Sequence, residues 1–126
     1  MVKTARTKRV LVVEDEKPVA KALVLKLTRA GFDAKAVFDG EEALKTLESE
    51  RFDLIILDLV MPKMDGFQLL AELQSRKSEI PIIVTSNLSQ GEDVKRAKSL
   101  GVREYFVKSD TPIADVITHV KRVLSS

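Results

Sequence analysis

The feature that most constrains this chain is the alternation of short apolar runs with segments of helical spacing. The runs are Val10–Val13, Ala34–Phe38, Leu54–Leu57, Ile82–Val84 and Tyr105–Val107. After each run, apolar residues recur at three- and four-residue steps, which places them on one face of a helix. Unbroken apolar strands are typical of parallel sheets that are covered on both faces. Five strand–helix units therefore predict a single (βα)5 domain of the α/β class with right-handed crossovers.

Local signals predict where several helices begin and end. Pro18 suits the first turn of the first helix, where its missing N–H is no loss. Gly31 can supply the left-handed residue that ends that helix. Pro112 opens the fifth helix, for which Thr111 or Asp110 is the predicted cap.

Composition excludes several classes of protein. The 126 residues include no cysteine, so disulfides and thiolate metal sites are impossible. The apolar runs are too short to cross a bilayer, and the charged N-terminus lacks the apolar stretch of a secretory signal. We therefore expect a cytoplasmic chain without a membrane partner. The 21 basic and 19 acidic residues nearly cancel to +2, so direct nucleic-acid binding is not expected.

Basic residues cluster at the N-terminus, at Lys3, Arg6, Lys8 and Arg9. Such a cluster could touch a phosphate backbone or an acidic partner. Because chain ends are usually solvated, we interpret residues 1–8 as a flexible basic arm on one domain that spans residues 1–126.

Polar side chains concentrate directly after the predicted strands. Glu14 and Asp15 follow the first, Asp58 the third, Ser86 the fourth and Lys108 the fifth. The carboxyl ends of parallel strands form one rim, where ligands of such sheets bind. Crowded carboxylates need a cation, and hard oxygen ligands suit Mg²⁺, with Mn²⁺ as a possible substitute. A carboxylate in that field can attack phosphorus, while an ammonium and a hydroxyl neutralise the phosphoryl oxygens.

These residues resemble the receiver domains of two-component response regulators. The resemblance covers residues 9–124 and rests on Val-Val-Glu-Asp-Glu at 12–16, Leu-Asp-Leu-Val-Met-Pro-Lys-Met-Asp-Gly at 57–66, Pro-Ile-Ile-Val-Thr-Ser at 81–86 and Tyr-Phe-Val-Lys at 105–108. It implies a flavodoxin-like fold with strand order 2-1-3-4-5. It also implies a phosphoryl-accepting switch rather than an enzyme. The receiver domain that it resembles is of the chemotaxis-regulator type.

The resemblance also implies the role of each site residue. Asp58 would accept a phosphoryl group from a sensor histidine kinase or a phosphotransfer protein. Asp15 would bind the metal directly, Glu14 through water, and the Val60 carbonyl would complete the ligands. Ser86 and Lys108 would bind the phosphoryl group. Ser86 and Tyr105 would form the switch that responds to it. Alternatively, Tyr105 is a strand-end aromatic that never moves.

Other positions bear on lifetime and partners. Val60 and Leu88 occupy the positions that tune phosphoryl lifetime in the family, and both are apolar, so we expect slow self-dephosphorylation. Ser109 stands where the family usually has a proline after a cis peptide, so the resting placement of Lys108 is open. The face of the fourth helix, fifth strand and fifth helix would bind a downstream protein, and phosphorylation could drive homodimerisation.

Three alternatives compete with this interpretation. An aspartyl phosphatase or phosphotransferase would carry a second acid at position 60, where this chain has Val60. A flavin or nucleotide module would need a glycine- or hydroxyl-rich loop without competing carboxylates. The chain could also be the regulatory part excised from a transcription factor, although a stand-alone regulator is favoured. His119 is interpreted as a surface residue, and Phe32, Phe38, Phe52 and Phe67 as core.

Overall fold

The computed structural model describes residues 7–61, 63–88 and 90–125, in which strands and helices alternate. Of the predicted basic arm, residues 1–6 lie outside the described residues. The strands are β1 (Arg9–Val13), β2 (Asp33–Val37), β3 (Leu54–Leu57), β4 (Ile82–Ser86) and β5 (Glu104–Val107). The helices are α1 (Lys17–Arg29), α2 (Gly40–Ser49), α3 (Gly66–Ser75), α4 (Gly91–Ser99) and α5 (Ile113–Leu124), and a 3-10 turn at Lys108–Asp110 follows β5.

The five strands form one parallel sheet in the order β2-β1-β3-β4-β5, as predicted. The chain runs outward from β1 to β2, then returns across β1 to β3 and continues in the opposite direction. The order therefore reverses at β1 and β3, and open α/β sheets bind ligands beyond the carboxyl ends of the strands at such a point.

Two apolar layers cover the sheet because alternate residues of each strand point to opposite faces. Leu11 and Val13 of β1 pack into a cluster with residues of α2, α3 and α4. Val10 and Val12 pack into a second cluster with residues of α1 and α5. The central strands β1 and β3 are almost completely buried, whereas β2 at the edge alternates between exposed and covered positions.

Element boundaries follow the sequence signals in part. Pro18 lies in the first turn of α1, and Gly31 follows its end at φ 98°, as predicted. The cap predicted for α5 is wrong: Pro112 itself occupies the N-cap position, and no side chain caps the helix. Strand β4 extends two residues beyond its predicted end, so Ser86 is its last residue rather than the first residue of a loop.

The interpretation of the basic cluster as solvated is wrong for Arg9. Its guanidinium contacts Asp33 Oδ2 at 3.0 Å and Glu50 Oε1 at 2.9 Å, and it stacks on Phe52 with 4.5 Å to the ring centroid. The side chain therefore ties the start of β1 to the start of β2 and the end of α2. The apolar stem and flat head of arginine allow this combination of stacking and pairing.

His119 is not a freely exposed residue either. It is half-buried, its Nδ1 lies 2.9 Å from Glu104 Oε1, and its ring centroid lies 4.7 Å from that of Phe106. Of the four phenylalanines predicted as core, Phe52 and Phe67 are buried. The other two, Phe32 and Phe38, are half-buried and pack against the cluster beneath α1 and α5.

No helix among the described residues combines the length and apolarity needed to cross a membrane.

Candidate functional site

The predicted rim residues meet where β1, β3, β4 and β5 end. The side chains of Glu14 and Asp58 follow the two central strands and are buried, with 2% and 5% of their surface exposed. Their placement follows from the register, since Val13 lies beside Leu57 and the next residue of each strand enters the same rim. Backbone hydrogen bonds from Glu14 N to Val37 O and from Asp58 N to Val13 O hold both residues to neighbouring strands.

The Lys108 ammonium lies among three carboxylates. Its Nζ is 2.5 Å from Glu14 Oε1, 3.1 Å from Asp58 Oδ2 and 3.4 Å from Glu16 Oε1. The side chain is only 15% exposed, so water screens these contacts weakly. The Lys108 ammonium thus reduces the repulsion among three neighbouring carboxylates.

Both carboxylate oxygens of Asp58 have donors, which fixes the plane of the group. Oδ2 accepts from Lys108 Nζ, and Oδ1 accepts from Val60 N at 3.2 Å. The loop after Asp58 then turns into α3, and Gly66 N donates to Leu59 O at 2.9 Å. A Cβ at Gly66 would lie 2.5 Å from Leu59 Cα and 2.8 Å from Asp58 O, so the loop can close only on glycine.

A cavity of about 310 Å³ opens above Asp58. It is lined by Asp15, Glu16, Asp58, Val60, Asn87 and Lys108. Three of these residues, Asp15, Asp58 and Val60, are predicted metal ligands, so the structure brings them to one space. Glu14 lies beneath them, buried against Lys108.

The donors at this cavity fit a hard divalent cation. Carboxylate oxygens of Glu14, Glu16 and Asp58 all lie within 4.8 Å of one another. Glu14 Oε1 is buried and makes no hydrogen bond of acceptable geometry, although Lys108 is close. A buried carboxylate oxygen is costly unless a cation compensates it, and here the Lys108 ammonium does so at 2.5 Å. Oxygen ligands without histidine or cysteine suit Mg²⁺.

The two predicted switch residues are joined through Leu88. Ser86 is fully buried, and its Oγ accepts from Leu88 N at 3.3 Å. The Tyr105 hydroxyl donates to the Leu88 carbonyl at 2.5 Å. Burial of the half-covered phenol raises the pKa of Tyr105, so the hydroxyl keeps its proton and remains a donor. Leu88 itself packs against the cluster of α2, α3 and α4.

The backbone after Lys108 differs from the cis-proline turn that is usual in the family. No peptide bond among the described residues is cis, and Lys108–Asp110 forms the 3-10 turn. Ser109 N donates to Asn87 Oδ1 at 3.1 Å, which joins this turn to the segment after β4. Lys108 therefore reaches Asp58 without proline at position 109.

The electrostatics of the pair Glu14 and Lys108 reflect its burial. Burial raises the pKa of the Glu14 carboxyl to about 7, and the nearby Lys108 ammonium only partly opposes this effect. Burial alone would lower the pKa of Lys108, but the contacts with Glu14 and Asp58 outweigh it and raise that pKa. Lys108 therefore stays charged, while Glu14 holds a proton more tightly than a free glutamate does.

We expect the metal-free protein to lose stability as the pH rises from about 4.5 to about 7. The folded state binds the Glu14 proton more tightly than the unfolded state, whose pKa is 4.5, so ionisation favours unfolding throughout this interval. Lys108 titrates far above the interval and adds nothing there. Urea unfolding in the presence of a chelator, at several pH values across the interval, measures the slope.

Glu14→Gln should flatten this slope, whereas Glu79→Gln should keep it. Glu79 is an exposed glutamate before β4, at the opposite end of the sheet. An unchanged slope in Glu14→Gln would contradict the assignment.

Comparison with known proteins shows the family to which this chain belongs. The family model described as "Response regulator receiver domain" matches residues 10–120. The chain belongs to the response regulator receiver domains. This finding confirms the family that the sequence motifs indicate, and receiver domains use Mg²⁺ at their acidic pocket.

Individual relatives and structures agree with the family. The "Alkaline phosphatase synthesis transcriptional regulatory protein PhoP" of Bacillus subtilis is 37% identical over 117 residues, which cover 93% of this chain and 48% of that protein. The receiver domain of the Francisella response regulator 1452 is 31% identical, with a TM-score of 0.87 and 93% and 96% of the two chains covered. Chemotaxis protein CheY4 of Vibrio cholerae is 29% identical, with a TM-score of 0.85 and 94% and 100% covered. The chain thus spans about half the length of the curated relative named here.

Two residues of this receiver domain's cavity escaped the sequence analysis. Glu16 directly follows the acidic pair, and its carboxylate lies within reach of Glu14 and Asp58. Asn87 directly follows Ser86 and lines the same cavity. Adjacency to predicted site residues was the available signal for both. It was weak because neighbouring residues of an extended strand point to opposite sides.

Proposed function

We propose that this receiver domain is a phosphoryl-accepting switch in which Asp58 is the phosphoacceptor. The supporting observation is the placement of the Asp58 carboxylate. It is buried, held at both oxygens by Lys108 and Val60 N, and faces the cavity that the other acids line. A carboxylate fixed in this way needs little reorganisation to attack phosphorus.

The phosphoryl group would come from the phosphohistidine of a sensor histidine kinase or a phosphotransfer protein. A P–O bond forms to an Asp58 carboxylate oxygen while the P–N bond of the phosphohistidine breaks, and its electron pair returns to the imidazole nitrogen. Lys108 and the Ser86 hydroxyl would then share the phosphoryl oxygens as charge develops on them. Lys108 would exchange carboxylate for phosphoryl oxygens as partners.

Asp15, Asp58 and the backbone carbonyl of Val60 would hold Mg²⁺, or Mn²⁺ in its place, with Glu14 acting through water. The bound ion supplies charge neutralisation for the phosphoryl oxygens. This assignment is supported by the cavity that Asp15, Asp58 and Val60 line together, and by the carboxylates of Glu14, Glu16 and Asp58 that converge beside it.

The downstream consequence would run from Ser86 to Tyr105. Turning the Ser86 hydroxyl toward the phosphoryl group would remove the acceptor of Leu88 N, and Tyr105 would move inward as its partner Leu88 shifts. The face of α4, β5 and α5 would then bind a downstream protein or a second copy of the chain.

We further propose that residues 1–126 act as one receiver domain with a basic arm at residues 1–8, and that it works in the cytoplasm.

Incubation with a small acyl phosphate and Mg²⁺, followed by intact-mass measurement, tests this proposal. One phosphoryl increment that disappears in the presence of a chelator supports it. A folded, magnesium-loaded sample that gains no phosphoryl group contradicts it.

We also propose that the acyl phosphate on Asp58 is hydrolysed slowly and that the chain is not a phosphatase. Val60 lines the cavity, and Leu88 lies two residues past Ser86, packed against the apolar cluster of α2, α3 and α4. Neither apolar side chain can hydrogen-bond an attacking water. Leu88→Asn should shorten the phosphoryl lifetime by about tenfold or less, since positioning water contributes less than a full general base. Mass measurements during decay after donor removal give the rate.

Leu25→Asn is the matched control, because Leu25 is 50% exposed on α1. It should decay like the parent chain. Unchanged decay in Leu88→Asn would discredit the lifetime role of position 88.

A further inference from the structure

Asn87 lies between the ends of the two strands that carry Ser86 and Lys108. It directly follows β4, and its side-chain Oδ1 accepts a hydrogen bond from Ser109 N at 3.1 Å. Ser109 is the middle residue of the 3-10 turn that begins at Lys108. The bond therefore ties the backbone directly after Lys108 to the end of β4. The proposed function gives Asn87 no role, although the residue lines the cavity above Asp58.

The 3-10 turn after β5 has weak support of its own. None of its residues is buried, no side chain caps it, and the bond that closes it, from Thr111 N to Lys108 O, is long at 3.4 Å. Strand β5 is an edge strand of half-buried residues, whereas β4 lies inside the sheet and is buried along its whole length. Segments with few buried contacts and exposed hydrogen bonds open most easily. The bond to Asn87 thus anchors a weakly held turn to a firmly held strand.

The backbone position of Lys108 decides which carboxylate its ammonium meets. The ammonium stands at the end of a flexible four-carbon stem and lies 2.5 Å from Glu14 Oε1 and 3.1 Å from Asp58 Oδ2. A displaced turn would let it settle on Glu14, beneath the cavity, rather than beside the oxygens of Asp58. In reactions that depend on positioning, a displacement of about 1 Å can cost up to about a hundredfold in rate.

We propose that Asn87 is a positioning residue for phosphoryl transfer, which acts by holding the turn that places Lys108 beside Asp58. The inference rests on the proposed function, in which Lys108 is the partner of the phosphoryl oxygens. Asn87 need not touch the phosphoryl group in this role. Since it stands between Ser86 and Leu88, the same bond also links the position of Lys108 to the segment that carries the switch hydroxyl.

Asn87→Leu removes the acceptor and keeps the approximate size of the side chain. It should slow phosphoryl uptake from a small acyl phosphate, with saturating Mg²⁺, by about tenfold. It should also speed exchange of the Ser109 amide proton with water, measured by NMR on the full chain, by about tenfold, because the exposed amide loses its acceptor. Gln74→Leu is the matched control: Gln74 is exposed near the C-terminal end of α3 and does not line the cavity, so both rates should stay as in the parent chain.

The same substitution in a Lys108→Ala background separates positioning from direct contact. If Asn87 acts through Lys108, Asn87→Leu should change the remaining uptake there by less than about twofold. Equal slowing in both backgrounds would assign Asn87 to the cavity itself and overturn the positioning role. If Lys108→Ala takes up no phosphoryl group, the Ser109 amide decides: faster exchange together with slower uptake in Asn87→Leu supports the role, and unchanged exchange overturns it.

Failure of this inference differs from failure of the proposed function. A parent chain that gains no phosphoryl group would contradict the proposed function. Normal uptake by Asn87→Leu, beside a parent chain that is phosphorylated, would contradict the role of Asn87 alone.

Discussion

Asp58→Asn is expected to abolish phosphoryl uptake completely. The amide carries no charge and is a poor nucleophile, so no P–O bond forms at position 58. The oxygen of the new amide can still accept from Val60 N, and one of several crowded negative charges disappears, so the substitution should leave the fold intact. Intact-mass measurement after incubation with a small acyl phosphate and Mg²⁺ gives the result directly.

The matched control is Asp115→Asn. Asp115 is an exposed residue in the first turn of α5 and does not line the cavity. It should gain one phosphoryl group as the parent chain does, and hydroxylamine should release that group because an acyl phosphate is labile to nucleophiles. A phosphoryl group of the same yield on Asp58→Asn would place the acceptor elsewhere and remove the basis of the proposed function.

Gly66→Ala should destabilise the protein by about 3 kcal/mol, near the upper end of overpacking effects. The new methyl group would lie 2.5 Å from Leu59 Cα and 2.8 Å from the Asp58 carbonyl oxygen. These are backbone atoms, which cannot rotate away as a side chain can. Either the start of α3 or the segment after Asp58 must move. Urea unfolding measures the loss.

Gly91→Ala provides the comparison, because it also places alanine at the first residue of a helix. A Cβ at Gly91 meets nothing within 4 Å, so this change should be neutral or slightly stabilising. A stability loss of the same size in both variants would show that close approach at Gly66 is not the cause. Because Asp58 shares the affected segment, Gly66→Ala should also slow phosphoryl uptake under conditions where it remains folded.

The sequence predicted the centre of this fold better than its periphery. Strand β3 has the predicted bounds and β1 differs by one residue, since both are unbroken apolar rows buried on each side. Strand β2 is displaced by one residue from its predicted range because an edge strand has a mixed pattern. The cap predicted for α5 is wrong because Pro112 already fixes the backbone there without a side-chain bond.

Pairings across the fold could not be predicted. Arg9 pairs with Glu50, which lies 41 residues away in the sequence. His119 of α5 pairs with Glu104 of β5. At the site, residue types and strand ends predicted which side chains converge. They could not predict that Lys108 would approach Glu14 more closely than Asp58, because that depends on the turn after β5.

The main chain of Leu88 makes hydrogen bonds with both predicted switch side chains. Its amide donates to Ser86 Oγ and its carbonyl accepts from the Tyr105 hydroxyl, so a displacement of Leu88 changes both contacts. We therefore expect the buried hydroxyl and the aromatic ring to change position together, as an all-or-none event rather than a graded one.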